Sequence, residues 1–170
     1  MPRVILIWGL LVLACWSWLA RAQPSTLEYQ VKSSYLFNFI QFVTWPSDAV
    51  SPEGKFNLCV VGAERFGSAL DALTGERVER REIVLRRLDT ATQASRGDCH
   101  LLFIASGAAP IEIPPRRGQL TVGETPGFLK QGGIINLVEV KGRIRFEINQ
   151  RAAEEAGLSI SSRLLNLAVR

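Results

Sequence analysis

Three cysteines, one histidine and two closely spaced glycines are the residues of this 170-residue chain that bear most directly on chemistry. Cys59 lies inside the apolar run KFNLCVVGA (Lys55 to Ala63), and Cys99 opens a second one, CHLLFIA (Cys99 to Ala105). Both runs read as buried strands, and in an oxidising compartment two cysteines on neighbouring strands are expected to form a disulfide, with two buried free thiols as the alternative. His100 is the only histidine, so a multi-histidine metal site and any catalytic scheme needing two histidines are excluded. Its apolar setting marks it as a core side chain. Gly62 and Gly67 stand five apart after a strand, half of a phosphate loop, but Ser68 occupies the place where such a loop needs its lysine. Ser34, Ser161 and Ser162 lack the G-x-S-x-G frame of a nucleophile elbow. The acidic residues do not recur with metal-ligand spacing. No metal, cofactor or enzymatic activity is expected.

The elements that would position these residues follow from periodicity. Leu27 to Val43 (LEYQVKSSYLFNFIQFV) is an amphipathic helix, with Val31, Tyr35, Leu36, Phe39, Ile40, Phe42 and Val43 on one broad arc and Gln30, Ser34, Asn38 and Gln41 as a narrow polar stripe. Lys32 projects within the apolar arc, where an ammonium must be paired, snorkel out, or meet an anionic ligand. Trp45-Pro46 stops the helix; a tryptophan there is a lid over the core or, if exposed, a partner contact. The strand at Lys55 is followed by a helical run through Ala69, Leu70, Ala72 and Leu73, a strand at Glu82 to Leu88 with arginines suited to an edge, and the strand at Cys99. Ser106 to Arg117 carries three prolines and reads as an irregular crossover. Strands at Gln119 to Gly123 and Ile134 to Val140 flank a helical turn at Pro126 to Gln131. Lys141-Gly142 then turns into Arg143 to Asn149, where Ile144, Phe146 and Ile148 alternate with polar residues. A short helix follows, with Gly157 at its end, and Ser159 or Ser161 caps a last one. The order strand, helix, strand, strand predicts an α/β fold: a single-domain sandwich with a mostly parallel central sheet, a C-terminal β-hairpin and flanking helices.

The totals agree with one domain: 47% of residues are hydrophobic and 21% charged. Residues 1 to 22 have the grammar of a signal peptide, with basic Arg3, an apolar stretch from Val4 to Ala14, and Ala20-Arg21-Ala22 as the cleavage site. Setting Arg3 and Arg21 aside leaves 18 basic against 16 acidic side chains. The remaining arginines are scattered and few aromatics stand beside them, so nucleic acid is not an expected partner. Export, with cleavage after Ala22, places the mature chain in the periplasm; an uncleaved anchor helix and a lipid attachment through Cys15 are the competing readings.

Five blocks in order carry a family likeness: EYQVKSSYLFNFIQFVTWP, FNLCVVGAERFGSAL, CHLLFIAS, LTVGETPGFLKQGGIINLVEV and GRIRFEINQRAAEEAGLSISSRLLNLA. Together they resemble the YfiR family of bacterial periplasmic proteins, over about Glu28 to Ala168, which makes 23–170 a YfiR-like α/β domain. The resemblance implies a dimeric regulator that binds the periplasmic sensor region of an inner-membrane diguanylate cyclase and holds the enzyme inactive, lowering cyclic di-GMP and restraining biofilm formation. It also implies that Cys59 and Cys99 form a structural disulfide. The second cysteine pair that members can carry towards the C-terminal half is absent here, so redox switching through such a pair is not carried over.

Two functions therefore stand side by side. In the first, the protein is that inhibitory partner, with Lys32, Asn38, Trp45, Arg145 and Asn149 as contact candidates; salt bridging within the fold is the competing role for Arg145. In the second, it is a periplasmic small-ligand sensor. The two differ in whether the first helix lines a closed cavity or an open patch. A secreted hydrolase lacks its residues. For export, N-terminal sequencing and intact mass of the envelope fraction should give a chain beginning at Gln23; an intact Met1 or a lipid-modified Cys15 overturns cleavage after Ala22.

Overall fold

The fold is built on β2 (Gly54–Val61), an eight-residue strand in which Phe56 to Val61 are all buried. A strand buried on both faces needs neighbours on both edges and cover on both sides, and β2 has them. In the computed structural model, which describes residues 26–50, 54–94, 98–107 and 113–169, β2 pairs in parallel with β4 (Arg81–Leu88) on one edge and with β5 (Leu101–Ile104) on the other. The sheet continues in parallel through β6 (Leu120–Gly123) and β7 (Ile135–Val140). It closes with two antiparallel strands, β3 (Arg77–Val78) beyond β4 and β8 (Arg143–Ile148) beyond β7. A two-residue pair, β1 (Val43–Thr44) and β9 (Ser159–Ile160), ties the first helix to the C-terminal region. The chain is thus a mixed α/β domain around a seven-stranded, mostly parallel sheet with a C-terminal hairpin and flanking helices, as the sequence predicts. The expected leader, residues 1–22, lies outside the described residues.

Alternation along the strands divides the sheet into two faces. Phe56, Leu58, Val60, Leu101, Phe103, Leu120, Val122, Ile135, Leu137 and Phe146 face the main core. Over them lies α1 (Thr26–Phe42), together with a 3₁₀ segment (Ala63–Leu73), α3 (Gln150–Glu155) and α4 (Ser162–Leu167). The buried face of α1 is Tyr29, Lys32, Ser33, Leu36, Phe39 and Ile40, a 3.6-residue spacing that Val43 of β1 continues. This differs from the expected arc at its beginning, where Val31 is exposed and Lys32 buried, because Lys32 has an anionic partner beneath it. Phe39 and Tyr35 meet the ring of Phe146 edge-on at 5.3 and 5.5 Å, which fixes α1 across β8.

The opposite face holds a smaller cluster: Cys59, Val61, Leu102, Ile104, Cys99, Ile113 and Phe128, with Ala91 and Ala94 of the four-residue helix α2 (Ala91–Ala94). Among the described residues this cluster is the smaller of the two, and a covalent bond supplements its packing. Cys59 and Cys99 form a disulfide with their Cα atoms 5.7 Å apart, joining β2 to the residues that lead into β5.

Local departures from the expected elements have local causes. The segment after β2 is 3₁₀ and kinked at Gly67 instead of a regular helix. Lys141 and Gly142 both adopt positive φ, 51° and 71°, the turn type that matches the twist of a two-residue hairpin. Ser161, of the two serines considered, caps the last helix by accepting from the Leu164 amide. The outer edge of β8 is partly occupied, because the Phe146 carbonyl accepts from Val169 N–H at 2.8 Å and the Ile144 carbonyl from the Tyr35 hydroxyl at 3.0 Å.

The disulfide spans 40 residues of sequence. On the chain-entropy account, opening it should destabilise the fold by about 4 kcal/mol. Denaturant unfolding of the Cys59→Ala/Cys99→Ala protein beside the oxidised parent checks this; equal midpoints would show that the smaller cluster stands without its bond.

Candidate functional site

At the carboxyl ends of β5 and β6 a charged network joins the sheet to α1. Glu124 follows directly on β6, and its side chain is 4% exposed. One carboxylate oxygen accepts from Lys32 Nζ at 2.6 Å; the other accepts from the Ser106 amide at 2.8 Å and the Tyr29 hydroxyl at 3.3 Å. Glu28, one turn before Lys32 on α1, also pairs with its ammonium. The ammonium stands 4.4 Å from the centre of the Tyr29 ring. Burial by itself depresses the Lys32 pKa, but the hydrogen bonds to Glu124 and Glu28 outweigh it and the group lies above its ordinary value. Lys32 is therefore charged throughout the neutral range. Its role is to lock α1 onto the sheet, and its hydrogen bonds are spent within the fold.

Arg65 borders the same network. Its guanidinium donates to Ser106 Oγ at 2.9 Å and hydrogen-bonds the Tyr29 hydroxyl. Gly62, just past β2, lets the chain pass close to the end of β5: its φ is +78°, and a Cβ there would meet Ala105 Cβ at 2.6 Å. A hollow of about 530 Å³ opens beside Arg65, lined also by Gly62, Leu88, Thr90 and Ser106.

A second hollow, of about 370 Å³, lies at the opposite end of the sheet beside the disulfide. Lys55, Asn57, Asp98, His100, Arg116 and Arg117 border it. His100 Nδ1 accepts from the Asn57 amide at 2.8 Å, and its carbonyl accepts from Trp45 Nε1 and the Leu120 amide. Burial holds the His100 pKa below its ordinary value, so the imidazole is neutral and structural at neutral pH. Arg117 is committed to a bidentate pair with Asp48.

A third feature is an open surface. On the face away from α1, the β7–β8 hairpin presents Val138, Val140, Arg143, Arg145 and Glu147. Val140 is 39% exposed, and neither Arg143 nor Arg145 joins an ion pair among the described residues.

The five contact candidates do not form one patch. Lys32 is buried in the lock. Trp45 is 7% exposed, edge-on against Phe56 at 5.0 Å, and so is a lid over the core. Asn149 caps α3 through the Ala152 amide and donates to the Leu129 carbonyl. Asn38 and Arg145 are exposed, on α1 and on the far face of β8. Most apolar residues of α1 belong to the core, but Leu27 and Val31 are exposed and border an open hollow of about 460 Å³ together with Glu28 and, at the end of the hairpin, Glu139, Arg143 and Ile144. Tyr29, Arg65 and Glu124 carry the polar network and were not legible in the sequence, since Glu124 meets its lysine across 92 residues and no local pattern announces it.

Among the described residues, no group of three His, Cys, Asp or Glu side chains could hold a metal ion, and no helix is long and apolar enough to cross a membrane. The chain belongs to the YfiR/HmsC-like family, whose profile matches residues 29–169. Members of that family are periplasmic regulators of diguanylate cyclase signalling. No curated protein matches the chain.

The lock makes a direct prediction. Lys32→Met leaves the Glu124 carboxylate buried beside Tyr29 without its cation and should cost about 3–5 kcal/mol of folding stability. Lys32→Met combined with Glu124→Gln removes both charges and should recover most of that loss. Chemical denaturation of the three proteins measures it, and a double variant no more stable than the single one would refute the pairing.

Proposed function

We propose that this protein is a periplasmic brake: it binds the periplasmic sensor region of an inner-membrane diguanylate cyclase, holds the enzyme inactive and so lowers cyclic di-GMP, working as a homodimer. Membership in the YfiR/HmsC-like family supports the regulatory role. The observation that favours a docking surface is the uncovered face of the β7–β8 hairpin. It combines apolar area at Val138 and Val140 with the cations Arg143 and Arg145, which have no ion-pair partner among the described residues. Antiparallel sheets tolerate one solvated face, but a half-apolar strip flanked by unpaired arginines suits a partner of acidic and apolar character. Arginine is also favoured at such contacts because its planar fork binds carboxylates bidentately. Asn38 lies on the other side of the molecule and enters as a separate contact candidate. Lys32, Trp45 and Asn149 act on this surface only indirectly, by holding α1, the core and α3 in place.

Arg145→Glu should weaken binding to the isolated periplasmic region of the cyclase by about tenfold. It should raise cyclic di-GMP in cells carrying only that variant and leave thermal unfolding unchanged, since Arg145 is exposed. Full retention of binding would remove the hairpin face from the interface; loss of binding only together with a lower melting temperature would assign Arg145 to folding instead.

A further inference from the structure

The hollow beside Arg65 lies where the topology of an open parallel sheet places ligand sites. From β2 the crossover runs to β4 on one side, and from β5 the chain continues to β6 on the other. Neighbouring strands whose crossovers diverge leave a crevice outside their carboxyl ends, and ligands of α/β proteins bind in it. Val61, Leu88 and Ser106, at or just beyond the ends of β2, β4 and β5, all border the hollow, and its volume of about 530 Å³ suits a small metabolite.

The lining chooses the chemistry. Val61, Leu88 and Ala91 supply apolar wall, and Thr90 and Ser106 supply hydroxyls. Arg65 is the one cation among the described lining residues; the side chains it hydrogen-bonds, Ser106 and Tyr29, are neutral, so its fork keeps donors for a ligand, although the Glu64 and Glu124 carboxylates stand near enough to attract its charge. Glu64 and Asp89 also border the hollow; they repel any anion, and a phosphate dianion about twice as strongly as a monoanion held on Arg65.

We propose that this hollow binds a small organic monocarboxylate, with the carboxylate on the Arg65 guanidinium and Ser106 and the body of the ligand against Val61, Leu88 and Ala91. Arg65 is already oriented by Ser106, and the guanidinium fork matches a carboxylate. The Ser106 amide donates to Glu124, the same carboxylate that holds Lys32. An occupant of the hollow thus touches the hydrogen-bond chain that ends on α1. The site rests on the cavity and not on the cyclase reading, and it is tested on the isolated protein.

The test is an NMR titration of the isotope-labelled mature protein with 2-hydroxybutyrate, benzoate and inorganic phosphate. Saturable shifts of the Gly62, Arg65, Ser106 and Gly107 amides are expected with at least one carboxylate, and weaker binding with phosphate. Arg65→Gln should lower affinity by about tenfold or more, the loss expected for a charge-assisted hydrogen bond. Because Arg65 also holds Tyr29 and Ser106, Thr90→Asp is the second variant. It keeps a side chain suited to a helix start at an exposed position but brings a negative charge to the hollow. It should weaken binding comparably with an unchanged melting temperature. No saturable shift with either carboxylate, or unaltered affinity in both variants, overturns the site; tighter binding of phosphate overturns the monocarboxylate assignment.

Discussion

The whole molecule depends on covering both faces of a parallel sheet whose central strand is apolar on each side. β2 offers Phe56, Leu58 and Val60 to one face and Cys59 and Val61 to the other, and neither set can meet water without loss. The cover is unequal. One face receives a 17-residue helix, a 3₁₀ segment and the C-terminal helices. The other receives, among the described residues, α2, Ile113 and Phe128, and the disulfide lies within this smaller cluster.

That inequality also locates the surfaces available for function. The face under α1 is consumed by the core, including nearly all of the aromatic side chains of α1. The opposite face runs out at the β7–β8 hairpin, where valines and arginines remain open. The carboxyl ends of the parallel strands form a crevice because the crossovers leave β2 and β5 in opposite directions. The buried Lys32–Glu124 pair sits between these regions and fixes α1 over the sheet. A buried ion pair is more valuable for holding one arrangement than for raw stability, since desolvating both charges offsets much of their attraction.

Most strands were legible because burial on both faces leaves continuous apolar runs, as in FNLCVV and LLFI, and because the hairpin alternates at period two about a Lys-Gly turn. The very short strands β1, β3 and β9 left no such trace: two residues carry no period. The helical run after Gly62 was legible because Ala69, Leu70, Ala72 and Leu73 suit a helix locally, whereas its 3₁₀ form and the interruption at Gly67 (φ 52°, ψ −126°) left no pattern. Among contact candidates, Lys32 and Trp45 were conspicuous because their residue types are costly or unusual where they stand. Both proved to be satisfied internally, Lys32 by Glu124 and Trp45 by Phe56 and the His100 carbonyl.

By itself the sequence determined the α/β class and the pair of cysteines on neighbouring strands, which follow from apolar runs and turn residues along the chain, and the resemblance of five ordered blocks pointed to the family. Tertiary structure alone decided which polar residues meet. Glu124, Arg65, Ser106 and Tyr29 come from four separate elements and converge only because parallel strands bring their carboxyl ends to one side of the sheet. Likewise, whether Arg145 is paired or open depends on what packs across the hairpin, and that is set by the fold around it and not by its neighbours in sequence.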